Sequence, residues 1–196
     1  MSPVSRTAGF RRSALLSWLA ALACIVVAAV ALQVSEPPSD RTQNVTGVRN
    51  EPVSYGDGSV TVGSVRVGQG LDHFGGVSRT AGMFLTVDVT LGAEGNRVLS
   101  LGQFQLLSGD RIYDDYSVAG LRVQPGFAER TTVAFEVDPQ RIDDLVLQLG
   151  RGEVVSGYHQ QLRVPLGITP ENADAWRRAS IGQVIEDGSD TTWALP

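Results

Sequence analysis

Lysine is missing altogether: all 16 basic residues of the 196-residue chain are arginine. Arginine replaces lysine as a point charge but not as a Schiff-base nucleophile, so lysine-based covalent catalysis is excluded. Cysteine occurs once, at Cys24, which leaves no internal disulfide and no zinc site of the usual multi-cysteine type. Histidine occurs twice, as His73 and His159, so a mechanism that needs three is excluded. Charged residues are 19% and hydrophobic ones 42%, which does not fit a disordered or polyelectrolyte tail. The net charge of -5 lacks the basic surplus of a nucleic-acid binder.

Acidic residues are also absent before Glu36, whereas Arg6, Arg11 and Arg12 give that stretch a charge of +3 and leave -8 for the rest. Residues 13–32 carry no charge at all. As a helix this run is about 30 Å long, the thickness of a bilayer's hydrocarbon core. Arg11 and Arg12 abut its start and Glu36 follows its end. The positive-inside bias therefore predicts a cytoplasmic N-terminus and an extracytoplasmic remainder. Ala29-Val30-Ala31 offers a small-x-small cleavage pattern, and a secreted form after signal cleavage is the alternative. The apolar stretch exceeds a usual signal core, which favours an uncleaved anchor. The expected organisation is a cytoplasmic tail (1–12), a transmembrane anchor in the lipid bilayer (13–34) and a linker (35–52). A β domain (53–168) and a C-terminal helix and tail (169–196) follow. The linker reading rests on three prolines and the absence of periodicity.

The β pattern is clearest over residues 83–91. Met83, Leu85, Val87, Val89 and Leu91 alternate with Phe84, Thr86, Asp88 and Thr90, as a strand with one buried face requires. Residues 129–137 repeat the pattern after a Pro125-Gly126 turn. Shorter strands are predicted over 59–62, 64–67, 103–107, 111–113, 145–149, 153–156 and 161–165. Many short strands with frequent turns and no long helical crossover predict an all-β, immunoglobulin-like antiparallel β-sandwich. The anchor helix precedes it and a short C-terminal helix over 170–180 follows. That helix is read from Thr169 as cap, Pro170 in the first turn and Arg177-Arg178 in the last. The predicted core is Val62, Val65, Val67, Leu85, Val87, Val89, Phe104, Leu106, Val133, Phe135, Val137, Leu145 and Leu147.

These motifs, in this order, resemble a known group. Val65-Arg66-Val67-Gly68, residues 82–89, Phe104-Gln105-Leu106 and Asp110 with Tyr113 and Asp114 carry the resemblance. Pro125-Gly126, residues 135–139 and Leu145-Val146-Leu147 complete it. They are similar to the membrane-anchored, extracytoplasmic immunoglobulin-like domains of unknown function in actinobacteria, related in fold to a secreted mycobacterial immunoprotective antigen family. The resemblance covers about residues 53–168 and implies a fold, with no catalytic residue to carry over. Gly92 stands where family members often have Asn, and no tyrosine between Pro139 and Leu145 matches the corner tyrosine of many immunoglobulin domains.

Neither histidine lies near a G-x-S-x-G elbow, and both are read as exposed loop residues. A metal site on the two histidines with Asp72 or Asp115 has no supporting ligand spacing. Asp110, Asp114 and Asp115 lack the calcium-loop pattern. No enzyme activity, cofactor or metal is expected. The candidate partner-binding loop is Tyr113-Asp114-Asp115-Tyr116, two amphipathic rings around two acids. Trp193 is a candidate anchor in a docking tail. The expected function is a non-catalytic protein-binding or accessory module at the cell envelope, with an envelope protein as partner. The alternative is a carrier or sensor for a small apolar ligand held between the sheets, which needs a cavity of about 300 Å³ or more.

Overall fold

The computed structural model describes residues 43–73, 75–116, 120–150, 160–188 and 190–196. The run expected to span the bilayer, the 153–156 strand and His159 lie outside them. Among the described residues no helix is long and apolar enough to cross a membrane.

Among the described residues the expected alternation of apolar and polar residues becomes strand, and two strands are longer than expected. β3 (Gly58–His73) and β4 (Gly76–Gly92) form a long antiparallel hairpin. The two short strands expected at 59–62 and 64–67 are one strand. The register steps from Val62↔Val89 to Val65↔Val87, so Gly63 and Ser64 oppose Asp88 alone. An extra residue of this kind is a β-bulge, which bends a strand without ending it. The Gly-Ser pair looks like a turn in the sequence because both devices favour small residues.

Two sheets result. The five-stranded sheet runs β1 (Gln43–Thr46), β11 (Gln160–Pro165), β10 (Val146–Gly150), β6 (Gln103–Ser108), β7 (Arg111–Asp114). The six-stranded sheet runs β12 (Val184–Glu186), β3, β4, β9 (Phe127–Val137), β13 (Thr191–Ala194), with β2 (Pro52–Tyr55) also on β3. β5 (Leu99–Leu101) and β8 (Leu121–Val123) make a small pair. Most pairings are antiparallel, but β1 on β11 and β12 on β3 are parallel, contrary to the expectation of an antiparallel sandwich. Each parallel strand reaches its partner through a connection far longer than a hairpin turn, which frees its direction. β1 also corrects the linker: residues 43–46, inside the stretch read as unstructured, add an edge strand.

The inward side chains of both sheets form one continuous apolar cluster. Twelve of the thirteen predicted core residues are buried in it, and Val65 packs against it half-buried. The C-terminal helix α1 (Ala173–Ser180) contributes Ala173 to the core and rests Trp176 on it. It starts three residues later than expected. Asn172 turns its side chain back, accepting from the Thr169 N–H at 2.9 Å and donating to the Gly167 carbonyl at 2.9 Å. Thr169, Pro170 and Glu171 thereby form the approach turn. The tail after the helix supplies β12 and β13, so it packs on the domain by sheet hydrogen bonds.

Phe135 is fully buried between the sheets. Phe135→Ala is expected to lower stability by about 3–5 kcal/mol. Ile112→Ala, at an exposed edge position, should stay within about 0.5 kcal/mol. Denaturant unfolding of both variants followed by circular dichroism checks the pair.

Candidate functional site

The period of two that sends Phe104, Leu106, Leu147, Leu149, Leu162 and Val164 into the core sends their neighbours to the outer face of the five-stranded sheet. Strand register then aligns Arg163 of β11, Gln148 of β10, Gln105 of β6 and Asp114 of β7 in one row across the strands. The row is hydrogen-bonded end to end. Arg163 Nε donates to Gln148 Oε1 at 3.0 Å, and Gln148 Nε2 donates to Gln105 Oε1 at 3.1 Å. Gln105 Nε2 donates to Asp114 Oδ1 at 3.0 Å. Gln103 joins from the side, its Nε2 donating to Gln105 Oε1 at 3.0 Å. Every bond points from the guanidinium toward the carboxylate, so each amide is held in one orientation by its neighbours. Thr46 of β1 stands beside Arg163. A parallel row on the same face is apolar: Pro165, Val146, Leu107 and Ile112 occupy successive strands.

This row contains part of the expected binding loop and separates it from the rest. Asp114 ends the ladder. Tyr113 points the other way, packs on the core and buries a hydroxyl that has no hydrogen-bond partner. Tyr116 leaves the sheet, donates its N–H to the Ala134 carbonyl at 2.7 Å and lies edge-on to Phe84 at 5.5 Å and to His73 at 6.4 Å. The two tyrosines are therefore not displayed as one surface. Trp193 is likewise not a free anchor. It sits in β13 opposite Ala128, with the Arg130 guanidinium 5.9 Å from its ring centroid. The Thr191–Ala194 strand fits the edge of β9 left open beyond β4.

The outer face of the six-stranded sheet is built differently. Asp88 accepts from Arg66 Nη2 at 3.0 Å and from the Thr132 hydroxyl at 3.0 Å, with the Ser64 hydroxyl on its other oxygen. A second apolar cluster, Leu71, Phe84, Ala134 and Ile185, lies on this face, which accounts for the buried Phe84 on the side read as polar. The tail covers it. β12 joins the β3 edge, β13 joins the β9 edge, and Gly188 between them lies so close to Thr132 that a Cβ would sit 2.5 Å from its hydroxyl oxygen. His73 is not an exposed loop residue. It closes β3 and its Nδ1 meets the Asp187 carboxyl, both side chains being largely buried. Burial raises the Asp187 carboxyl above the ordinary aspartate value, and nearby Asp190 adds to this. His73 and Arg66 act in the opposite direction without cancelling the rise.

Among the described residues no group of three or more His, Cys, Asp or Glu side chains could hold a metal ion. Asp110 lies 3.8 Å from Arg141 while Asp114 serves the ladder. Two open grooves flank these features. One, of about 270 Å³, is lined by polar groups including Asp88, Thr90 and Arg130. The other, of about 330 Å³, is lined by Asp110, Arg141, Asp143 and neighbours.

The ladder was missed from the sequence. Its signal is the spacing Gln103-x-Gln105 and Gln161-x-Arg163, amides alternating with core residues. What the spacing does not show is which strands are neighbours.

No family model and no curated protein matches the chain. Among solved structures it is similar to the yjhA protein from Bacillus subtilis. The identity is 13%, the TM-score is 0.42, and the match covers 76% of this chain and 98% of that one. It is also similar to an uncharacterized beta-sandwich protein from Clostridium difficile. Here the identity is 9%, the TM-score 0.37, and the coverage 63% and 96%.

The raised Asp187 carboxyl has a signed consequence. A carboxyl with a folded-state value above its unfolded one stabilises the fold at low pH, and that contribution is lost as pH rises through the folded-state value. The Tm advantage of wild type over Asp187→Asn should therefore shrink, by no more than a few degrees, as pH rises from about 3.5, just below the ordinary aspartate value. Thermal unfolding of the two proteins from there to near-neutral pH measures it, and a widening gap contradicts the assignment.

Proposed function

We propose that this chain is a membrane-anchored, extracytoplasmic binding or accessory module of the cell envelope, without catalytic activity, built on an immunoglobulin-like sandwich. The uncharged run over residues 13–32, with arginines before it and acids after it, supports the anchor and its orientation. The resemblance to anchored actinobacterial domains supports the same placement.

The observation that carries the binding role is the outer face of the five-stranded sheet. It presents a row of side chains whose orientations are already fixed by mutual hydrogen bonds. Groups ordered before a ligand arrives lose less entropy on binding, which is the usual requirement of a recognition surface. The edge loop supports a protein partner less than its sequence suggested, because Tyr113 faces inward and Tyr116 packs on Phe84. The apolar-carrier alternative gains nothing from the inter-sheet layer, where core side chains of both sheets share one cluster at almost no exposure.

The full chain should sediment with membranes and resist alkaline extraction. Protease added to spheroplasts should digest a C-terminal tag and spare an N-terminal one. Recovery of the folded domain in the cytosolic fraction defeats the proposal. Recovery from the medium, with a new N-terminus near Leu32, shifts it to the cleaved, secreted form.

A further inference from the structure

We infer that the outer face of the five-stranded sheet binds an extended, neutral, hydroxyl-rich glycan laid across the strands. This rests on the binding-module reading and names the ligand class of the same face.

The first argument is hydrogen-bond inventory. Gln105 Oε1 is saturated by two donors, and one N–H of each ladder amide is committed to its neighbour. Gln103 and Gln105 each keep a second amide hydrogen, while Gln103 Oε1 and Asp114 keep acceptor capacity; Gln148, 7% exposed, is the buried link that ties them to Arg163. The face therefore offers donors and acceptors interleaved along a line. A hydroxyl group both donates and accepts, so a run of hydroxyls answers both kinds. Anions find a single guanidinium, Arg163, and cations a single carboxylate, Asp114. With the two at opposite ends of the row, neither charge is favoured.

The second argument is spacing. Neighbouring strands are about 4.8 Å apart, so the four rungs from Arg163 to Asp114 span about 14 Å. One strand spacing is close to the length of one sugar ring in an extended β-linked chain, so the ladder matches roughly three rings.

The third argument is the company the ladder keeps. The apolar row beside it, with Ile112 59% exposed, supplies a surface for the C–H faces of sugar rings. On the other flank Gly150 leaves room for Gln103. A Cβ there would lie 3.1 Å from Gln103 Oε1, so any side chain at this position would press on that amide. A peptide adding as a strand would use a sheet edge, and a lipid surface would need more apolar area than one row.

The test uses the full chain in a detergent without a sugar headgroup, with chitohexaose, cellohexaose and the curled, α-linked maltoheptaose as calorimetric probes. A β-linked hexamer should bind, maltoheptaose about tenfold more weakly or not at all. Affinity should rise from the disaccharide to the tri- or tetrasaccharide and then level off. Gln105→Leu should weaken binding about tenfold, with some loss of Tm because buried Gln148 loses its acceptor. Half-buried Gln103→Ala, which leaves the Gln148–Gln105 bond intact, is therefore the second variant, with a severalfold loss of affinity expected at unchanged Tm. Arg130→Ala, on the other sheet, should change nothing. Absence of binding to all three saccharides, or equal affinity in Gln105→Leu and Gln103→Ala, overturns the inference. If wild type instead captures an envelope protein that Gln105→Leu releases, the glycan assignment falls and the module reading stands. A chain found in the cytosol that binds neither loses both.

Discussion

One apolar layer between two sheets holds this domain together without a covalent cross-link. Tyr55, Phe104, Phe135 and the leucines around them are buried to within 2% exposure. Each such side chain contributes about 1.5–3 kcal/mol. The layer does more than stabilise. Side chains alternate along a strand, so fixing Phe104 and Leu106 inside fixes Gln103 and Gln105 outside. A one-residue slip of any strand would carry leucines to the solvent and amides to the core. The ladder Arg163–Gln148–Gln105–Asp114 is thus a direct consequence of the register that the core enforces.

The two outer faces show the opposite solutions to covering a sheet. On the six-stranded sheet the tail returns, adds β12 and β13 at the two edges and packs Ile185 with Leu71, Phe84 and Ala134. Tyr116 closes on Phe84 from the other side. Polar groups there are used in isolated local pairs, Asp88 with Arg66 and Asp187 with His73, while Thr86 Oγ1 and Arg66 Nε are buried without a hydrogen-bond partner. On the five-stranded sheet the polar groups are joined into a line that keeps unspent hydrogen-bonding capacity. This asymmetry directs attention to the second face even though both began as polar sides of amphipathic strands.

How much of this was legible in the sequence follows from which interactions are local. Alternation is local, so β4, β9 and nearly all of the predicted core were readable. Pairing is not local. The bulge at Gly63 and Ser64 looks like a turn until Asp88 is known to lie opposite. His73 looks like a loop residue until Asp187, more than a hundred residues later, is brought to it. Tyr113 and Tyr116 look like one display until the strand turns one inward and the chain carries the other to a different sheet. The glutamines gave no chemical signal singly, because an isolated Gln has no characteristic role. Their meaning appears only when the β6–β7 pair and the β10–β11 pair, from separate parts of the chain, stand side by side.

A purely structural account of the ladder is weak on energetic grounds. Hydrogen bonds between side chains at a sheet surface add little, since water satisfies the same groups when the chain is open. Ordering three glutamines and an arginine costs rotamer entropy that such bonds barely offset. Cross-strand pairs of threonines or β-branched residues would stabilise the same sheet at lower entropic cost. Gln148 is the exception, because the residue is 7% exposed and its burial is tolerable only while Arg163 and Gln105 satisfy its amide. Beyond that buried link, the bonds of Gln103, Gln105 and Asp114 contribute little to stability yet hold amides ordered with capacity to spare, which is more economically explained by what they meet than by what they support. The compensation of Arg163 by Asp114 through the intervening amides leaves that line without net charge. On a domain otherwise strongly acidic, this makes it a surface where a neutral polymer can lie without electrostatic penalty.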